Sequence, residues 1–184
     1  DDVANDQRKV IYQQRNELMG AEDISDSVTG IRAEVVDGII DQFVPRESPE
    51  EEWKLDELKE AVERDFITWI DPKAWLAADH EIAEAGLRER VVKAVEDAYE
   101  AKVAAVGAPV MRHLEKAVML QELDRHWRDH LAAMDYLRQG IHLRAYAQKN
   151  PKQEYKREAF ELFGALLDRI KHDTVSLLSR LQVR

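Results

Sequence analysis

The 184-residue sequence contains no cysteine. That excludes a disulfide-stapled fold, a thiolate nucleophile and a thiolate metal site, and it suits a reducing compartment. Glycine and proline are sparse, at 7 and 5 residues, so turns are few and elements long. The glycines (20, 30, 38, 86, 107, 140, 164) stand singly, leaving neither a glycine-rich phosphate loop nor a dinucleotide fingerprint. No stretch approaches the roughly 18 consecutive apolar residues of a membrane span, and no signal peptide is visible. No serine lies in a nucleophile-elbow context. The expectation is a chain that is not itself an enzyme and holds no cofactor. Because it opens on Asp1 instead of Met, it is also expected to be a piece of something longer.

Charge is abundant and unevenly shared. Charged residues make up 35% of the chain and the net charge is −10. Residues 1–40 carry −5, residues 41–108 carry −9 and residues 109–184 carry +4. The middle reads as a solvated acidic body, and the basic excess belongs to the tail.

The patterning is helical almost throughout, so the fold class is all-α. Residues 1–19 are helix-prone but weakly striped, with Gly20 as a stop. They read as the end of a longer helix. Val28, Ile31, Val35, Ile39 and Phe43 mark a second helix, closed by Pro45. Ser48-Pro49-Glu50-Glu51 has the form of a capping box, and Leu55, Leu58 and Val62 mark a short amphipathic helix. Phe66–Ile70 alternates but is too short for a lone strand. Asp71-Pro72 restarts a helix, and another runs from about Ala83 to Val106. Gly107-Ala108-Pro109 is the clearest boundary.

Beyond it, Val110, Leu114, Ala117, Leu120, Leu123, Trp127, Leu131, Met134, Leu137 and Ile141 form one stripe at steps of three and four. Asn150-Pro151 opens the next helix, striped by Ala159, Leu162, Leu166, Ile170, Leu177 and Leu181. Two such helices joined by a short loop fold back as an antiparallel hairpin. Phe160, Phe163, Leu167 and Leu178 lie off that stripe and predict a second buried face.

His126 and His130 stand four apart, the spacing of a two-histidine metal pair, but Trp127 occupies the place where a zincin needs Glu. They read as packing or surface histidines, with no metal expected. The loop between the tail helices is the more informative feature. Residues 138–157 hold Arg138, Arg144, Lys149, Lys152, Lys156 and Arg157 against the single acid Glu154. Tyr146 sits at the centre between Ala145 and Ala147. Cations near a helix N-terminus oppose the macrodipole, so Lys152, Lys156 and Arg157 are not there for helix stability. A tyrosine on a narrow basic tip suits gripping something extended and variable. Overall acidity and a lone aromatic speak against nucleic acid.

The runs Asp1–Met19, Leu123–Ala133 and Met134–Phe160 resemble the SecA family of bacterial preprotein translocase motors. The sequence departs from the family pattern at Ala145, where Gly is common, and at Asn150, where Asp is common. The resemblance implies that residues 1–22 end a long scaffold helix, 23–107 form a helical wing domain, and 108–184 complete the scaffold with a two-helix finger, its tip at about 142–150. It implies that Leu143, Arg144, Ala145, Tyr146, Ala147 and Lys149 contact preprotein and the SecYEG channel. It further implies that Trp127 lies in the finger helix that restrains ATP hydrolysis. ATP and Mg²⁺ would belong to the full-length protein, cytoplasmic and peripheral at the bacterial inner membrane. Other SecA domains would be partners, and the cations can also meet acidic lipids. The competing readings are a standalone helical adaptor that binds a partner protein, and a basic-hairpin RNA binder.

Overall fold

The computed structural model describes residues 1–144 and 150–183. Among them are seven α-helices and one 3₁₀ turn, with no strand. In order these are α1 (Asp2–Gly20), α2 (Ser25–Phe43), the turn Glu50–Glu52, α3 (Leu55–Phe66), α4 (Pro72–Ala78), α5 (Glu84–Val106), α6 (Ala108–Arg144) and α7 (Pro151–Arg180). The all-α expectation holds.

Local chemistry accounts for most of the boundaries. The Asp71 carboxylate accepts from Ala74 N–H at 3.2 Å with Pro72 in the first turn, so α4 starts where Asp-Pro predicts. The Asn150 side chain accepts from Gln153 N–H at 3.2 Å and opens α7. Gly107 adopts φ +107 and breaks the chain between α5 and α6.

Three expectations are corrected. The capping box at Ser48 does not begin an α-helix. The Ser48 hydroxyl donates to the Pro45 carbonyl and accepts from Trp53 Nε1 (3.0 Å), so it is not available to cap. A 3₁₀ turn results, and α3 begins only at Leu55. The first half of the α6 stripe is also displaced. Val110 is 46% exposed and Ala117 is exposed, while Leu114 and Leu120 are half-buried. The buried line instead runs Met111, Glu115, Val118, Glu122. Acidic residues occupy it because each is paired, Glu115 with Arg112 and Glu122 with Arg125. Finally, Phe160 is 77% exposed. Of the off-stripe residues on α7, Leu178 is buried and Phe163 and Leu167 half-buried.

The chain forms two compact units. The first comprises Asp1–Ile24 and Lys116–Thr174; the second comprises Ser25–Glu115 and Val175–Arg184. In the first, α6 and α7 pair antiparallel beside α1, and Met134, Leu137, Ile141 and Ala159 share a core with Val3, Ala4, Tyr155 and Leu162.

The second unit packs α2, α3 and α5 through Val28, Val36, Ile40, Leu58, Leu87, Val91 and Val95. It also buries charge. Arg32 is fully buried, its guanidinium 3.6 Å from the Tyr99 ring centre and 3.2 Å from both Glu96 oxygens. Tyr99 donates to Glu115 at 2.7 Å. Burial, reinforced by that carboxylate, pushes the phenol far above its ordinary value. Arg88 collects Asp37, Asp41 and Glu84. Lys102 donates to the carbonyls of Leu178, Ser179 and Leu181 and so closes the C-terminal end of α7.

Candidate functional site

The hairpin of the first unit is anchored along α1 by polar contacts at three levels. Nearest the loop, Asp1 Oδ2 accepts from Arg138 at 2.8 Å and from the Tyr155 hydroxyl. One carboxylate therefore joins the final turns of α6 to the first turns of α7. The next level is Gln7, which is buried. Its Nε2 donates to the Ala159 carbonyl at 3.1 Å, which leaves Oε1 to accept from His130 Nε2 at 2.7 Å. A single amide thus touches both hairpin helices. At the third level Arg15 makes a two-point contact with Asp124, at 2.9 and 3.3 Å.

Trp127 lies between the second and third levels, 8% exposed. Its indole stacks on the His130 ring with centroids 5.4 Å apart, and His130 meets the edge of Phe163 at 5.8 Å. Burial, with the nearby charge of Arg169, lowers the His130 pKa, so the ring is held neutral. Trp127 is therefore a packing residue.

The two histidines of the sequence do not converge. His130 turns to α1, whereas His126 turns to α7 and meets Asp173 at 2.7 Å. Burial pushes the Asp173 carboxyl up, but hydrogen bonds from His172 and His126 outweigh it and hold the group below its usual range.

At the loop end, Leu143 is 74% exposed, and α6 extends to Arg144. Ala145, Tyr146, Ala147 and Lys149 lie outside the described residues. Among the described basic residues, Arg138 and Arg157 are engaged close by. Arg138 holds Asp1 and Asp135, and Arg157 pairs along its own helix with Glu154 (2.6 Å) and Glu161 (3.2 Å). Lys152 and Lys156 are exposed. Gln7, Asp1 and Asp173 were missed from the sequence, because nothing in the local pattern marks a polar residue whose partner lies over 40 positions away.

A long antiparallel hairpin fixed to a third helix in one unit, and a helical body in the other, define a scaffold-and-wing protein. The chain belongs to the SecA family: the SecA wing and scaffold domain matches residues 1–182. A protein translocase subunit SecA from Nitrosococcus oceani is 58% identical over all 184 residues, which make up 20% of that relative. The chain thus spans about a fifth of the relative's length. Among the described residues, no helix is long and apolar enough to cross a membrane.

Proposed function

We propose that this chain is the non-catalytic portion of a SecA motor that contacts the unfolded preprotein and the SecYEG channel through a two-helix finger. Residues 1–22 end the scaffold helix, 23–107 form the wing, and 108–184 complete the scaffold. The observation that carries the reading is the anchored hairpin. α6 and α7 are tied to α1 at Asp1, Gln7 and Arg15, and Leu143 stands exposed at the entrance to the loop. A firmly seated pair of helices with a basic, tyrosine-bearing tip accepts many side-chain shapes without selecting one. Tyrosine offers broad contact at small entropic cost, while Lys149 and Lys152 meet acidic channel loops or lipid headgroups with a salt-dependent strength.

ATP and Mg²⁺ would be held elsewhere in the full-length protein. What supports this is that the seven glycines stand singly in the sequence, without the clustering of a glycine-rich phosphate loop. Hydrolysis belongs to the remainder of the full-length protein, at the peripheral, cytoplasmic side of the inner membrane. Through Trp127 the hairpin restrains it.

The test uses full-length protein. Tyr146→Ala should impair preprotein transport while nucleotide binding stays intact, and Tyr146→Met should retain more transport than Tyr146→Gly or Tyr146→Asp. Trp127→Ala, by loosening the helix, should raise basal ATP hydrolysis. Wild-type transport by Tyr146→Ala would remove the tip assignment.

A further inference from the structure

We propose that Glu122, His126 and Asp173 form a binding site for a divalent transition-metal cation of the zinc class. Glu122 and His126 lie one turn apart on α6 with side chains only 4% and 6% exposed, and Asp173 reaches them from α7. Their donor atoms fall within 4.8 Å of one another. One imidazole with two carboxylates is a donor set that zinc, cobalt and nickel accept. A tetrahedral ion with bonds of about 2.0–2.1 Å separates its ligand atoms by roughly 3.4 Å. His126 Nε2 already lies 3.4 Å from Glu122 Oε2, the 2.7 Å His126–Asp173 contact has to widen, and the two carboxylates lie within 4.8 Å of each other.

Without the cation, His126 Nε2–H donates to the Asp173 carboxylate at 2.7 Å, and the Arg125 guanidinium donates to Glu122 and Asp173. One nitrogen and two carboxylates thus converge on a point already held by positive charge. A cation on the Nε2 lone pair would replace both the proton and the guanidinium, bonding the nitrogen and both carboxylates at once.

Arg125 holds that place now, 2.6 Å from Glu122 and 3.3 Å from Asp173. It is half-exposed and free to swing into solvent when metal enters. His172 Nδ1 meets the other Asp173 oxygen at 2.9 Å, an outer contact of the kind that fixes a ligating carboxylate. Asp173 is one-third exposed, which gives the ion an entry path from solvent. The bound ion would join α6 to α7 at a point about 30 Å along α6 from Arg144.

The untagged, metal-free chain should be titrated with Zn²⁺ and Co²⁺ by calorimetry, with visible absorption following Co²⁺ and thermal melting following both. The expected result is one equivalent bound at a Kd of about 1 µM or tighter, a raised Tm, and a low-coordination Co²⁺ spectrum. His126→Gln and Asp173→Asn should each weaken binding at least about tenfold. Arg125→Ala should tighten it, although the loss of an ion pair lowers the metal-free Tm. Absence of saturable binding, unchanged affinity in Asp173→Asn, or weaker binding in Arg125→Ala would each overturn the site. The last two decide the matter even if His126→Gln fails to fold.

Discussion

His130 is the side chain on which most of the scaffold unit's polar interior depends, touching Gln7, Trp127 and Phe163. Its pKa is lowered by burial and by Arg169, so the unfolded chain takes up a proton more readily than the folded one. Stability from this group is therefore fully present above the ordinary histidine value and is lost as pH falls below it. Urea unfolding at about pH 7.5 and about pH 5.5 should show this loss in the wild type and a shallower one in His130→Gln. Equal slopes would mean that His130 titrates normally. The sequence announced Trp127 as a packing residue, since an aromatic on a regular stripe needs no distant information. It could not announce Gln7 or Asp173. An apolar pattern locates a face, but which bordering polar residue turns inward depends on a partner 123 positions away for Gln7 and 47 for Asp173.

Helix ends were legible wherever the signal was local. Asp71-Pro72, Asn150-Pro151 and Gly107 each act within three residues of themselves. The Ser48 signal failed because Pro45 and Trp53 compete for the same hydroxyl. The early α6 register failed because apolarity was counted and paired acids were not; Glu115 and Glu122 are both buried. Gly107 offers the cleanest test at this scale. A Cβ there would meet nothing within 4 Å, so Gly107→Ala isolates the cost of φ +107. That cost should be about 1–3 kcal/mol, seen as a lower melting temperature. Gly164→Ala, within α7 and equally unobstructed, should instead stabilise by about 0.5–1 kcal/mol. Two losses of similar size would show that something other than backbone conformation governs both sites.

The molecule divides into units that α6 and α7 both enter. The scaffold unit has its own core, including Ile11, Leu123, Met134, Leu137, Ile141, Ala159 and Leu166. Deleting residues 25–107 and joining the ends should therefore leave the hairpin helical by circular dichroism. The turns around Met111, Val175 and Leu178, buried in the other unit, should fray. Complete loss of the helical signal would mean that the hairpin has no independent core.

The three attachments on α1 also have a mechanical consequence. Residues 1, 7 and 15 are spaced about 9 and 12 Å along the helix, and each grips the hairpin through a directional bond. A force pulling on the loop is then resisted as shear spread over about four turns of α1, not as bending at one hinge. Sliding α6 against α1 by about 1 Å would strain all three grips together. The hairpin should therefore yield abruptly above a threshold load, and below it should transmit displacement to α1 with little slack.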